Sequence, residues 1–372
     1  MARPFDVCIR GAGIVGRTLA LLLAGERLRV GLVSTPADRP DSSTDVRAYA
    51  LNAQSRALLE SVRCWPDDAS ATAVLGMHVR GDDGGEVNFR ASDHGTPALA
   101  WIVDVAALQS RLVEAIGFQP LIEELTEPQN AALTVVCEGK ASRTRAEFGV
   151  EFDVTPYGQR AIAARVTCGK PHQQRAHQWF SNGEILAFLP LNGEAGNSMA
   201  LVWSVKDERV ESLMSLGAGE FARALQEASH GVMGGLTLIG ERASWPLQLA
   251  RANRWVGETG GNSWALAGDA AHTVHPLSGQ GLNLGLADVG KLAQLVKSRD
   301  YWRSVGDRRL LRQYERARKV DVMSVGFTTD GLQQLFAQGS MPWPTVRNWG
   351  MRGFDASGAV KKWVARQAMG LR

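Results

Sequence analysis

Four cysteines in 372 residues, Cys8, Cys64, Cys137 and Cys168, stand too far apart for a CxxC pair or a zinc-ligand spacing. Their scarcity suits a reducing compartment, so a cytoplasmic location is expected. Also missing is any apolar run near the roughly 20 residues of a membrane-spanning helix. The first residues lead almost directly into a strand, and no secretory leader is expected. Net charge is only +3, too small for a nucleic-acid footprint. There is no internal repeat and no low-complexity linker. Tyrosine is scarce, four against eleven tryptophans, and the tryptophans are spread along the chain. Most are expected in the core, with one or two left to line an apolar pocket.

What is present points to a cofactor. The length exceeds one average domain, so two joined units or one large α/β unit are expected. Phe5 to Arg10 reads as a strand, Arg17 to Ala24 as a helix and Arg29 to Val33 as a second strand. Between the first two lie Gly11-Ala12-Gly13-Ile14-Val15-Gly16, a GxGxxG fingerprint in strand–turn–helix context. Gly11 permits the tight turn, Gly13 lets a pyrophosphate approach the backbone, and Gly16 lets helix and strand pack closely. An acid normally ends the second strand and grips the ribose; here Ser34 stands there. A neutral partner in place of a charged one forfeits roughly 1–2 kcal/mol, which weakens dinucleotide binding without excluding it.

The stretch from Trp264 to Val289, WALAGDAAHTVHPLSGQGLNLGLADV, carries the second signal. A short buried strand ends at Gly268-Asp269, a loop with His272, His275 and Pro276 follows, and a helix begins near Gly281. Asp269 offers a carboxylate to hydroxyls. Gly279 and Gly281 lack a Cβ, so a flat ring can lie on the backbone. The N–H groups of Gly281, Leu282 and Asn283 would sit at a helix start, where they stabilise negative charge.

This stretch resembles the second flavin-contacting motif of aromatic-ring flavin hydroxylases, and most of all the ubiquinone-biosynthesis hydroxylases (the UbiH/UbiF/VisC family). The resemblance continues through Asp45 to Asn52, with Arg47, through the helix carrying Gln109, and at Glu138-Gly139 with Ser142 and Arg143. It also takes in Tyr314-Glu315-Arg316, and so covers nearly the whole chain. Where the family usually has Asp-Gly, this chain has Glu138-Gly139.

The resemblance implies an α/β fold like that of para-hydroxybenzoate hydroxylase. Residues 1–75 and 98–150, with a hairpin over 77–90, form a Rossmann-type FAD-binding part. Residues 151–256 form an inserted, largely antiparallel sheet over the substrate. Residues 257–298 return to the cofactor, and 299–372 are C-terminal helices. It implies FAD bound at Gly11 to Gly16, Ser34, Arg47, Gln109, Asp269, Gly279, Gly281, Leu282 and Asn283, and NAD(P)H as reductant. The chemistry implied is hydroxylation of an electron-rich ring through a C4a-hydroperoxyflavin. His275 and Pro276 would face the ring, although a structural histidine is equally open for His272 and His275. No metal site is expected.

The substrate implied is a small aromatic molecule, a polyprenylated phenol on the way to ubiquinone. The tail from Met341, with Arg347, Arg352, Lys361, Lys362 and Arg366 among tryptophans, is a candidate for peripheral contact with the inner face of a membrane. A solvated packing helix is the competing reading. A homo-oligomer or a biosynthetic complex is a further candidate. Two alternatives stay open: the same fold acting on a soluble aromatic or secondary metabolite, and a non-catalytic scaffold.

Overall fold

β1 (Phe5–Arg10), α1 (Ile14–Gly25) and β2 (Val30–Val33) form the parallel βαβ unit that the fingerprint predicts. The computed structural model describes residues 4–35, 45–81, 84–274 and 280–337, and side chains as far as 324. β3 (Ala48–Leu51) then enters α2 (Ala53–Ser61), whose first turn is capped by Asn52. β4 (Ala71–Val74), β5 (Gly76–Arg80), β6 (Glu86–Arg90) and β7 (Ala100–Asp104) precede α3 (Val105–Gly117), β8 (Ile122–Leu125), β9 (Ala131–Val136) and the short α4 (Arg143–Glu147).

Four strands follow without interruption by a long helix: β10 (Phe152–Cys168), β11 (Arg175–Ser181), β12 (Glu184–Pro190) and β13 (Ser198–Lys206). After α5 (Asp207–Ser215) and α6 (Ala218–Ala228) come β14 (Leu236–Ala252), β15 (Val256–Thr259), β16 (Asn262–Leu266) and the two-residue β17 (His272–Thr273). α7 (Gln280–Lys297) and α8 (Arg308–Ala337) follow.

The strands make three sheets. The first, ordered β15-β16-β9-β1-β2-β8, is parallel except for the β15–β16 pair. The second, ordered β17-β14-β10-β13-β12-β11-β5-β6, is antiparallel except where β5 joins β11 in parallel. The third is the small antiparallel sheet β3-β7-β4. The hairpin over 77–90 therefore pairs with the large sheet. β10 and β14 each run 17 residues, because their polar halves pair with each other. β11 escapes sequence reading because Arg175, His177 and Gln178 break its apolar alternation.

Alternation then divides the large sheet. Ile162, Ala164, Val166, Trp179, Leu186, Phe188, Leu201 and Trp203 point to one side and pack under Phe221 and Leu225 of α6. Residues of the other parity, including Ala176, Leu189 and Met77, meet Ala48, Ala50, Val74 and Ile102 of the small sheet. Across the parallel sheet, Leu19 and Leu23 of α1 and Leu286, Val289 and Leu292 of α7 enclose the main core with Ile9, Leu32 and Val135. Each such side chain, fully buried, contributes roughly 1.5–3 kcal/mol. Among the described residues no helix is long and apolar enough to cross a membrane.

Candidate active site

Glycine sets the first wall. Gly11 has φ +108, a conformation that favours glycine, and a Cβ there would stand 2.6 Å from the Cys137 carbonyl. At Gly16 a Cβ would lie 1.9 Å from the Gly11 oxygen, so no larger residue lets α1 approach its strand. At Gly13 the space is open, and no side chain caps α1 and no acid enters its first turn. An uncapped helix start beside open space is built for an anion. Ala12 and Ile14 turn their side chains into the core, leaving their backbone for a ligand.

The second wall is formed where β16 ends. Asp269 follows Gly268, itself at φ +63, and its carboxylate is solvent-accessible. The protein nevertheless encloses it closely enough that burial raises its pKa, against the pull of His272 and Lys140. That describes a carboxylate at the floor of a concavity. The turn around it is held from behind. The Gly268 N–H donates to Asp288 Oδ2 at 2.9 Å, and Arg145 Nη1 donates to the Ala270 oxygen at 3.1 Å. Arg143, which follows Ser142, is exposed instead; it is Arg145 that reaches the turn.

α7 supplies the third wall. Gly281 borders open space and its first turn carries no acid. Leu282 packs against the main core. The Asn283 side chain is fully engaged: Oδ1 accepts from the Asn52 N–H and the Ser55 hydroxyl, and Nδ2 donates to the Ala50 oxygen. It therefore pins α7 to the start of α2, and only its backbone is left to face a cofactor. A Cβ at Gly285 would stand 2.9 Å from Val15 and 3.3 Å from Gly268, so this one crossing joins both glycine turns.

The remaining expected residues are more scattered. Arg47 makes a two-pronged pair with Asp45 at 2.8 and 2.6 Å. Burial opposes ionisation of Asp45, but Arg47 and Arg165 more than offset it. Tyr49 lies in the electrostatic reach of Arg47 and Asp269, with its phenol pKa raised mainly by burial. Gln109 is half-buried on α3, which packs on α1. Ser34 is half-buried, and its N–H is taken by the Leu125 oxygen. Glu138 is committed elsewhere: it accepts from Ser142 and Thr144 and forms an ion pair with Arg10 at 3.3 Å. It caps α4 and is not free for a ribose. His275, Pro276 and Gly279 lie outside the described residues, as does the tail from Met341.

Two residues that hold the turn from behind were hidden in the sequence. Asp288 and Arg318 are 20 and 50 residues past Gly268, yet Arg318 Nε donates to Asp288 Oδ1 at 2.7 Å. The one available signal was an acid, Asp288, inside the apolar face of a helix, which demands a buried partner.

The family described as FAD binding domain matches residues 122–325. The chain belongs to that family. It is 29% identical to the ubiquinone hydroxylase UbiL of Rhodospirillum rubrum, covering 98% of this chain and 89% of the relative. It is 27% identical to the 3-demethoxyubiquinol 3-hydroxylase of Escherichia coli, over 99% of both chains. Its fold is similar to that of p-nitrophenol 4-monooxygenase PnpA of Pseudomonas putida, with a TM-score of 0.77 over 100% of each chain at 18% identity. By family and full-length resemblance it is an FAD-dependent aromatic-ring monooxygenase. The cradle fits that cofactor: open space at Gly13 and Gly281, an uncapped start to α1, and a carboxylate at Asp269 to which no described residue donates.

Proposed function

We propose that this protein hydroxylates an electron-rich phenol carrying an apolar polyprenyl tail, a precursor of ubiquinone. One observation carries the reading. The sheet face that meets the cofactor half is paved with small apolar side chains. Ala243, Ala163, Val202 and Ala187 lie in one cross-strand row, flanked by Ala161, Ala200 and Leu189. On that face the Arg165 charge is closed by Asp104 at 2.5 Å, and Arg165 also donates to the backbone oxygens of Asp45 and Val46. A floor of this kind suits a flat ring with a greasy tail. A substrate bearing a carboxylate would call for an unpaired guanidinium.

FAD, when bound, supplies oxygen activation, delivering one atom of O₂ to the ring while the other leaves as water. The chain's part is to hold and exclude. The N–H groups at the start of α1 take the pyrophosphate, and Asp269 accepts from the ribityl hydroxyls. The start of α7 stabilises negative charge on the ring edge. The apolar sheet face excludes water and holds the phenol. NAD(P)H is the proposed reductant. A membrane-borne substrate makes a cytoplasmic protein, peripheral at the inner face, the proposed location, with the basic tail as the proposed contact. Assembly with itself or with other biosynthetic enzymes is proposed on the same ground.

The test compares a short-chain prenylated phenol with 4-hydroxybenzoate in aerobic reactions with FAD and NAD(P)H, read by product mass. Addition of one oxygen to the prenylated phenol alone is expected. Turnover of 4-hydroxybenzoate alone would return the reading to soluble aromatic acids.

A further inference from the structure

We propose that Arg318 is a positioning residue for the cofactor turn, setting the place of Asp269 through Asp288. The inference rests on the placement of the FAD ribityl chain at Asp269. Asp288 is wholly enclosed, and three elements meet on it. Its Oδ2 accepts the Gly268 N–H at 2.9 Å and lies 2.7 Å from His272 Nε2. Its Oδ1 accepts from Arg318 Nε at 2.7 Å. Trp255 stacks on the His272 ring at 4.9 Å, closing the far side.

A carboxylate in such a place stays ionised only while its partners balance the cost of burial. Burial alone would raise the pKa of Asp288, yet His272 and Arg318 together hold it below the usual range. As an anion, Asp288 grips the Gly268 N–H with a charge-assisted bond. That bond matters because Gly268 sits in the left-handed region, one residue before Asp269. Were Asp288 to take up a proton, one oxygen would become a donor, and Gly268 or His272 would lose its acceptor. Arg318 prevents this from a distance, since it touches neither Gly268 nor Asp269. Its other bonds, to Asp321 at 2.6 Å and to the Leu284 oxygen at 3.4 Å, fix the guanidinium in place.

Holding α8 against the sheet is a separable task. The Tyr314 hydroxyl donates to the Leu266 oxygen at 2.8 Å, and Glu315 accepts the Trp255 N–H at 2.8 Å. Neither contact touches Asp288. Tyr314→Phe therefore loosens α8 without disturbing the turn, which separates seating from positioning.

The experiment titrates full-length apo-protein with FAD, read by flavin fluorescence, beside the thermal midpoint and the near-ultraviolet circular dichroism of the FAD-free form. Arg318→Met should weaken FAD binding by about tenfold or more and alter the Trp255 signal before FAD is added. Arg318→Lys, which can still donate to Oδ1, should return affinity to within about threefold of wild type. Tyr314→Phe should lower the midpoint and leave FAD affinity unchanged. Wild-type affinity in Arg318→Met overturns the inference. So does a loss that Tyr314→Phe reproduces at the same midpoint. If Arg318→Met does not fold, the Asp288→Leu/Arg318→Met pair replaces it, removing both charges together. Weak FAD binding by that folded pair supports the inference, and wild-type binding overturns it. Asp269→Ala tests the underlying placement by itself: unchanged FAD affinity there would remove the ground on which the inference stands.

Discussion

The cofactor half and the large sheet are held together by different means. In the cofactor half, close approach depends on glycine, and buried charge fixes backbone: Gly16 against Gly11, Gly285 against Val15, and Asp288, His272 and Arg318 behind the turn. The core between the large sheet and α6 is built from side-chain volume instead, with Phe188, Trp203, Phe221 and Leu225 filling it. A change in the first half displaces a turn, whereas a change in the second leaves a hole. Flavin retention and stability should therefore separate by region.

The largest effect is expected from Gly16→Ala. Its methyl would stand 1.9 Å from a backbone oxygen, which no rotamer can relieve. Overpacking of side chains costs about 1–3 kcal/mol, and a backbone collision more. Soluble yield and flavin retention should both collapse, and a yellow, stable variant would break the comparison. Next comes Phe188→Ala in the sheet core, expected to cost about 3–5 kcal/mol. Thermal unfolding should register that loss, while FAD affinity of the protein still folded stays near wild type. A matching fall in affinity would show the two halves to be one energetic unit.

Asp269→Ala sharpens the contrast within the cofactor half. A charged hydrogen bond contributes roughly 1.5–3 kcal/mol and a neutral one about 0.5–1.5. FAD affinity should thus drop about tenfold to a hundredfold, well beyond the effect of Ser34→Ala. Stability of the FAD-free protein should move the opposite way. The folded-state pKa of Asp269 is raised above 3.8, so its ionised form weighs against folding at neutral pH. The variant should unfold at a higher temperature than wild type at pH 7, with the gap closing as pH falls below about 4.

The smallest effect at neutral pH belongs to β11, an inner strand of the large sheet. Burial, with His78, Arg80 and Arg175 nearby, pushes His177 down to about 4. The unfolded chain binds that proton near pH 6.5, so stability should decline from there and level off near pH 4. His177→Gln should flatten that part of the pH–stability curve, measured by denaturant unfolding, and leave FAD affinity alone.

The legible part of the site was the part with meaning at short range. Gly11, Gly13 and Gly16 declare themselves by spacing, and Gly268-Asp269 by its strand. The Asn283 backbone is legible from its helix start, whereas its side chain is spent on Asn52 and Ser55, some 230 residues earlier, which no local pattern signals. Glu138, standing where the family usually has Asp, closes α4. Arg318 carries no local signal at all, because its importance exists only where α7 and α8 cross. The second sheet was foreseen as antiparallel, but not that a hairpin from the N-terminal half would extend it.

That hairpin bears on how the protein is made. β5 is synthesised about 95 residues before β11, the strand it must join in parallel. At about 5–20 residues per second, β5 and β6 wait on the order of 5–20 seconds outside the ribosome with one edge unpaired. Met77, Val79 and Phe89 lie along those strands, so the nascent chain carries an adhesive edge through about a quarter of its translation. The His78, Arg80, Glu86 and Arg90 side chains that alternate with them give that edge its protection until β11 arrives.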